Sequence, residues 1–335
     1  MQIKNKIELV KSINFAEIPK NTINYYWLTL ITDGLGNPIN IPVMVAKGEK
    51  DGPILGLTAA LHGNELNGIS VIQRLFRELD INDLSGTVVG IPVVNIPSFI
   101  RKKRRFNDGV DLNHIMPGKK DGNVSNVYAY RFVNKIIKQF DYLLDLHTAS
   151  FGRINSFYIR ADMEHEEVKK MALLQNADII VHNPPSDGTL RGAADELGIP
   201  AITIEVGNPN TFQKRLIRSG VEGIHNVLSH LKMIPDEIEV PKKTTIICKS
   251  SYWIYTDVGG LLTVHVDLRE IVKKGKIIAS IRDIFGNLLK EYLAPENGIV
   301  IGKSTSPVNQ TGGRILHLGI ISVSYTHLRA HETHN

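Results

Sequence analysis

The 335-residue chain has a single cysteine, Cys248, and few features of an exported or membrane protein. One cysteine excludes an intramolecular disulfide and any cysteine-rich zinc module, so a metal ion would have to be held by histidine and carboxylate side chains. Residues 1–20 contain no sustained apolar stretch, and nowhere does an apolar run reach the roughly 18 residues that span a membrane. We therefore expect a cytoplasmic protein that makes no use of a membrane.

The excess of positive charge is small but locally concentrated. The formal net charge is +5, and residues 101–105 read RKKRR. Such a run can bind nucleic acid, but no zinc finger, helix-turn-helix or aromatic-rich strand pair accompanies it. In an enzyme, a basic cluster of this kind serves an anionic substrate or lies in a solvated loop. We expect no nucleic-acid partner.

Short apolar segments alternate with helical patterns over residues 1–240. The stretches NYYWLTLIT and NIPVMVAKG, joined by DGLGNP, predict a β-hairpin, and buried strands are predicted at GPILGLTAA, GTVVGIPVVN, DYLLDLH, ADIIVHN and PAITIEVG. Strands that alternate with helices indicate an α/β domain whose largely parallel or mixed sheet is covered on both faces. Residues 244–322 show short strands and turns instead, and predict a small β barrel or sandwich.

The end of the chain differs from the rest. The stretch VSYTHLRAHET resembles one reading frame of the transposon end and adapter used to build sequencing libraries. We expect residues 323–335 to be non-native, and the native sequence to diverge near Ser322. His327, His331 and His334 are therefore excluded from any site, despite their ligand-like spacing.

Potential metal ligands stand where predicted strands end. His62 and Glu65 lie in ALHGNELNG between a strand and a helix, His147 ends DYLLDLH, and Glu205 ends ITIE. The carboxyl ends of strands in an α/β sheet share one edge, where ligands bind. Two imidazoles and one carboxylate leave zinc an open position, at which the pKa of a bound water falls to about 7. Glu205 could then move the proton, and Asp145 could orient His147.

Each of these residues also has an ordinary explanation. A glutamate at a helix N-terminus is favoured by the helix dipole, and a histidine at a strand end often bonds to backbone. Glu205 could be a buried, paired carboxylate, and Asn113, in GVDLNHIMPG, could be a turn residue. The metal hypothesis therefore depends on all the segments occurring together.

The order of the motifs HGNE, DLN followed by PG, DLHTA and IEVG resembles the succinylglutamate desuccinylase/aspartoacylase family of the zinc carboxypeptidase superfamily. The likeness continues through GRINSFYIRAD, LRGAADELGIP, DIFGN and APENGIV, nearly to residue 322. It implies a three-layer α/β/α domain with a mixed sheet and a small C-terminal all-β domain. It also implies one zinc ion per chain, bound by His62, Glu65 and His147, with Glu205 as general base and acid.

The resemblance also predicts the residues that bind substrate. It implies that Arg104, or with a slip of one position Arg105, polarises the scissile carbonyl, and that Asn113 grips a substrate carboxylate. His114 stands where the family usually has an arginine, and a histidine cannot form the same bidentate fork. Either the substrate lacks that carboxylate or another cation substitutes. The candidates are Arg153, Arg160 and Arg191.

We predict a zinc-dependent hydrolase that cleaves the acyl-amino bond of a small N-acylated amino acid or related metabolite. The alternatives are a metallocarboxypeptidase that acts on peptide or peptidoglycan fragments, and a non-enzymatic carrier or binding protein, which the segment GKIIAS faintly suggests. The C-terminal domain would either border the mouth of the active site or form contacts in a homo-oligomer.

Overall fold

A computed structural model describes residues 7–239 and 244–322. The adapter-like segment 323–335, with its three histidines, lies outside the described residues. The helices are α1 (Asn67–Glu78), α2 (Ile96–Ile100), α3 (Val124–Lys135), α4 (Glu166–Leu173), α5 (Leu190–Glu196) and α6 (Lys214–His230). The strands are β1 (Ile7–Val10), β2 (Thr22–Thr32), β3 (Pro38–Lys47), β4 (Lys50–Ala59), β5 (Ser85–Ile91), β6 (Tyr142–His147), β7 (Arg153–Asn155), β8 (Phe157–Ala161), β9 (Ile179–His182), β10 (Ala201–Val206), β11 (Ile246–Tyr255), β12 (Gly260–Val264), β13 (Ile271–Val272), β14 (Ile277–Arg282), β15 (Leu288–Leu293), β16 (Gly298–Ser304), β17 (Val308–Asn309) and β18 (Arg314–Ile321).

A large mixed sheet runs through the molecule in the order β1-β2-β3-β5-β4-β6-β10-β8-β9-β11-β18-β16-β13, with β7 paired to β16. Its centre is parallel, from β5 through β4 and β6 to β10, and the predicted hairpin of β2 and β3 lies beside it. Because β4, β6 and β10 run in the same direction, their carboxyl ends emerge at one edge.

Helices cover both faces of this sheet. Ile72 and Leu75 of α1 pack with Ile224 of α6 against Leu144 and Ile204 on one face. On the other face α3 and α5 bury a second apolar cluster, which includes Phe132 and Leu190. Apolar residues three and four apart form the inner stripe of α1, as the sequence predicts. The three-layer α/β/α fold is confirmed.

The C-terminal segment has two parts. Strands β11, β18, β16 and β13 continue the large sheet, whereas β15, β14, β12 and β17 form a separate four-stranded antiparallel sheet. Residues of both parts share an apolar core that includes Ile281, Tyr292 and Leu316. The predicted small β region near the C-terminus is thus present, while the division into domains at residues 240 and 244 stays a prediction. In the described residues no helix is long and apolar enough to cross a membrane.

Candidate metal centre and active site

Polar side chains cluster on one face of the sheet where β6 and β10 end. In the strand register, Glu205 of β10 lies between His147 of β6 and Tyr158 of β8. Side chains two residues apart point to the same face of a strand, so Asp145 and Arg160 lie on this face as well. The intervening leucines and isoleucines face the opposite core. The alternation of side chains along β6, β8 and β10 therefore places acid, imidazole, phenol and guanidinium groups together.

The loop after β4 brings His62 and Glu65 to the same edge. Gly63, between them, packs so closely on α2 that an added Cβ would lie 2.1 Å from the carbonyl carbon of Ser98. A side chain at this position would push the loop away from the helix. The glycine of the HGNE motif is therefore required by a close backbone approach, which fixes where the two potential ligands point.

Glu65 lies between the two histidines. Its Oε1 is 2.8 Å from Nδ1 of His62, and its Oε2 is 2.9 Å from Nδ1 of His147. One ligand atom from each of the three buried residues lies within 4.8 Å of the others, so the group could hold a metal ion. The loop after β4 and the end of β6 thus converge as the strand topology predicts.

The outer nitrogen of each imidazole, Nε2, points away from Glu65 and contacts a second carboxylate. Nε2 of His62 is 3.0 Å from Oδ1 of Asp111, and Nε2 of His147 is 2.7 Å from Oδ2 of Asp145. Thr58 donates a 2.7 Å hydrogen bond to the other oxygen of Asp145. Histidines that bind metal are oriented in this way, by an acceptor on the nitrogen that does not bind the ion. The donor set and its outer partners therefore fit a metal.

Electrostatics keep the buried carboxylate of Glu65 ionised. Burial alone would raise its pKa, but the charges and hydrogen bonds of His62 and His147 outweigh burial and hold it well below its ordinary value. For His62, burial is likewise outweighed by the charge of Glu65 and by the Asp111 contact, and the pKa is raised. Because a carboxylate must be ionised to bind a metal, Glu65 is preset for that role.

Of the two candidate arginines, Arg104 faces the cluster. Its Nε donates to Oδ2 of Asp111 at 2.9 Å, and its Nη1 donates to Oε1 of Glu65 at 3.2 Å. Arg105 is exposed and donates instead to the carbonyl of Gly109 at 3.2 Å. Of these two arginines of the basic run, Arg104 contacts the candidate metal group and Arg105 does not.

Glu205 is buried beside the cluster without a close ion pair. Nδ2 of Asn155 donates to its Oε2 at 3.2 Å, and Nε of Arg160 lies 3.6 Å from its Oε1. Arg160 donates its short hydrogen bonds to the hydroxyl of Tyr158 instead, at 2.8 and 3.1 Å. Burial raises the pKa of Glu205, although the charge of Arg160 opposes the rise. A carboxyl group of this kind is suited to accept and release a proton.

Asn113, in the DLN motif, and His114, which follows the motif, have different surroundings. The side-chain carbonyl of Asn113 accepts a 2.8 Å hydrogen bond from the backbone N–H of Leu190, at the start of α5. His114 is exposed. Asn113 therefore ties its loop to α5, and His114 has the solvent access expected of a residue that could meet a substrate.

The other two candidate cations also lie in distinct settings. Arg191 is buried and donates to the backbone and side-chain oxygens of Asn183, both at 2.6 Å. Burial, reinforced by the charge of Arg160, lowers its pKa to about 10. Arg153 lies over the ring of Trp253, 5.5 Å from the centroid. Arg160 is thus the candidate cation that touches Glu205.

Three residues of the site were not assigned roles from the sequence. Asp111 contacts both His62 and Arg104, Asn155 donates to Glu205, and Tyr158 accepts from Arg160. Tyr158 and Arg160 could have been linked to Glu205 by period-two alternation along FYIRA, once that strand was paired with ITIEV. Asp111 and Asn155 depend on loop and edge-strand packing, for which the sequence carries no local signal.

Comparison with known proteins agrees with this geometry. Residues 51–231 match the model of the succinylglutamate desuccinylase/aspartoacylase catalytic domain. The chain belongs to this family. It is accordingly a deacylase of the succinylglutamate desuccinylase/aspartoacylase type, with a buried His-Glu-His group able to hold a metal. The resemblance expected from the motifs is confirmed.

Family relatives differ in the substrates that their names state. N-alpha-acetyl-L-2,4-diaminobutyric acid deacetylase of Halomonas elongata is 28% identical over 281 residues, which cover 79% of this chain and 81% of that protein. Succinylglutamate desuccinylase of Pseudomonas fluorescens is 25% identical over 281 residues, 78% of this chain and 77% of that protein.

Solved structures share the fold at lower identity. The product-bound ectoine utilization protein of Ruegeria pomeroyi superposes with a TM-score of 0.82 at 22% identity, covering 91% of this chain and 98% of that one. A family protein from Rhodobacter sphaeroides gives a TM-score of 0.81 at 20% identity, with coverage of 93% and 99%. Nearly the whole described fold, including the C-terminal strands, is therefore that of the family.

Proposed function

We propose that this deacylase uses one zinc ion per chain to hydrolyse the amide bond of a small N-acylated amino acid or related metabolite. The observation that carries the proposal is the convergence of His62, Glu65 and His147 beside the buried Glu205, whose pKa is raised by burial. Two imidazoles and one carboxylate are the protein ligands of many catalytic zinc sites. When bound there, zinc supplies a Lewis acid that activates water and polarises a carbonyl oxygen.

The remaining steps fall to the chain itself. Glu205 is proposed to take a proton from the attacking water and to deliver it to the departing amine, which its raised pKa favours. Arg104 is proposed to stabilise the charge that develops on the carbonyl oxygen, because its guanidinium already lies at Glu65. Asn155 and Arg160 hold the two oxygens of Glu205 in place.

The substrate class is proposed from the two kinds of relative together with the site. One relative is named a deacetylase of an N-alpha-acetylated diamino acid and the other a desuccinylase. Both remove a small acyl group from an amino acid. We therefore propose an N-acetyl or N-succinyl amino acid as substrate.

A substrate panel tests the proposal. The purified, zinc-loaded chain would be incubated with N-acetyl and N-succinyl amino acids, including N-alpha-acetyl-2,4-diaminobutyrate, and with dipeptides, and the released amine would be quantified. Hydrolysis of an acylated amino acid that stops on zinc removal and returns on zinc addition is expected. Cleavage of dipeptides alone would favour a peptidase, and the absence of any zinc-dependent cleavage would contradict the proposal.

Removing the negative charge of Asp145, whose carboxylate contacts Nε2 of His147, should reduce the affinity for the metal. Asp145→Asn preserves the volume of this buried side chain but replaces the anionic acceptor of the imidazole Nε2–H by a neutral and weaker one. We expect zinc affinity, measured by competition with a chelator, to fall about 10- to 100-fold. Asp162→Asn is the matched control, because Asp162 also lies beside a histidine, His182, at 3.8 Å, but away from the metal group. Equal effects of the two variants would show that Asp145 has no special role.

Displacing Asn155 should impair turnover without releasing the metal. A Cβ added to Gly302 would lie 2.3 Å from Oδ1 of Asn155, so Gly302→Ala must move the amide that donates to Glu205. We expect kcat to fall roughly 10- to 100-fold, as misplacement of a catalytic group commonly does. Gly34→Ala, at a position with open space around it, is the control. Zinc content should be unchanged in both, and an unchanged kcat in Gly302→Ala would contradict the positioning role of Asn155.

A further inference from the structure

An aromatic ring flanked by two arginines lies in the C-terminal segment. The guanidinium carbons of Arg153 and Arg314 are 5.5 and 5.2 Å from the centroid of the Trp253 ring. The ring of His317 stacks on the same indole, with centroids 5.1 Å apart and an interplanar angle of 10°. Arg314 is exposed, whereas His317 is buried. We call Arg153, Trp253, Arg314 and His317 the tryptophan cluster.

Strand pairing connects the tryptophan cluster to the catalytic edge. Trp253 of β11 lies opposite His317 of β18, His317 lies opposite Gly302 of β16, and Gly302 lies opposite Asn155 of β7. Asn155 in turn donates to Glu205. A single row of cross-strand neighbours therefore leads from the indole to the carboxyl group that we propose as the general base.

A ring contact links the two regions, because the ring of His317 meets that of Tyr158 edge-on, with centroids 6.1 Å apart and an interplanar angle of 72°. Burial, followed by the charge of Arg104, lowers the pKa of Arg314. Burial, followed by the charges of Arg160 and Arg314, holds the pKa of His317 well below its ordinary value, so its imidazole is neutral.

The two arginines of the tryptophan cluster lack an acidic partner. Within residues 7–239 and 244–322, neither Arg153 nor Arg314 forms an ion pair with a carboxylate, and the neutral His317 adds no compensating charge. Arg104 and Arg160, by contrast, lie beside carboxylates, Arg104 at Glu65 and Asp111 and Arg160 at Glu205. Two guanidinium groups that contact one indole ring and have no carboxylate partner form a positively charged site that an anion can neutralise.

We propose that Arg314 and Arg153, supported by the face of Trp253, bind a carboxylate of the substrate whose deacylation is proposed above. The occupant is an α-carboxylate of the amino acid or the terminal carboxylate of a dicarboxylic acyl group. This assignment rests on the proposed function and extends it. It gives the C-terminal strands a part in specificity, at a site whose DLN motif is followed by His114 and so lacks a guanidinium there.

The test separates carboxylate recognition from hydrolysis. Binding by calorimetry and kcat/KM would be measured for an N-acetyl amino acid, its α-amide, and the N-succinyl derivative of that amide. Arg314→Gln and Arg153→Gln would be compared with Arg282→Gln, a control at an exposed arginine of β14 that donates to the Gly286 carbonyl. Thermal unfolding would confirm that the variants are folded.

We expect Arg314→Gln to weaken binding and kcat/KM for the carboxylate-bearing compound roughly 10- to 100-fold, and to change those of a ligand without a carboxylate less than about 2-fold. Loss with the acid alone identifies the α-carboxylate, and loss with the succinyl amide alone identifies the acyl carboxylate. Equal losses for charged and uncharged ligands would overturn the proposal, and so would an unaltered chain that binds the N-acetyl α-amide as tightly as both the acid and the succinyl amide. If nothing is hydrolysed but carboxylates still bind through Arg314, the proposed function fails and this inference stands.

Discussion

Glu205→Gln is expected to lower kcat by about 10²- to 10⁴-fold, the range that a positioned general acid or base contributes. Glutamine preserves the shape of this buried side chain and can still meet Asn155 and Arg160, but it cannot accept the proton of an attacking water. Because Glu205 is not among the residues that could hold the metal, zinc content should remain near one per chain. The measurements are steady-state hydrolysis and zinc analysis of the same preparation.

The control for this variant is Glu196→Gln, at an exposed glutamate that ends α5. It should leave kcat within about 2-fold of the unaltered chain, since surface substitutions away from specific interactions have little effect. Full activity of Glu205→Gln would show that another group moves the proton. Loss of zinc from that variant would mean instead that Glu205 supports the metal group, and would leave its proposed role in proton transfer without support.

Glu65→Gln is expected to remove the metal and the activity together. The Glu65 carboxylate lies between the two Nδ1 atoms, and an amide is a poor substitute for an anionic ligand. Zinc affinity should fall by more than about 100-fold, which exceeds the loss expected when a residue that only orients a metal ligand is changed. Hydrolysis should drop to the level of the zinc-free chain. Both quantities can be measured after dialysis against a weak chelator.

Glu167→Gln provides the matched control for Glu65→Gln. Glu167 also lies against a histidine, with its Oε1 2.9 Å from Nε2 of His230, but this pair is remote from the metal group. The control should retain zinc and activity. If Glu65→Gln kept stoichiometric zinc with unaltered affinity, the ion would be held by other residues and the proposed ligand set would be wrong.

The metal group could be predicted because each of its residues stands at the end of a recognisable strand in the sequence. His62 and Glu65 follow one apolar strand, and His147 ends another. Parallel strands place such residues at one edge whatever the details of packing, so the order of segments suffices to gather them. The same argument brings Glu205 to that edge, and the strand register agrees.

Features that depend on contacts between distant segments could not be predicted from the sequence in the same way. The choice of Arg104 over Arg105 is made by the fold of the loop, because neighbouring residues in an irregular segment point in different directions. The extension of the large sheet by β11 and β18 is set by edge pairing, which hydrophobic alternation does not specify. Trp253 and Arg314 thus reach the neighbourhood of the site from a segment whose sequence predicts only a small β domain.

The central claim is that His62, Glu65 and His147 share one metal ion, and crystallographic anomalous scattering at the zinc edge tests it most directly. Crystals of the zinc-loaded chain should show one anomalous peak per molecule, bonded to Nδ1 of both histidines and to the carboxylate of Glu65, with Asp111 and Asp145 on the outer nitrogens. A peak elsewhere, or none between these three side chains at saturating zinc, would contradict the account.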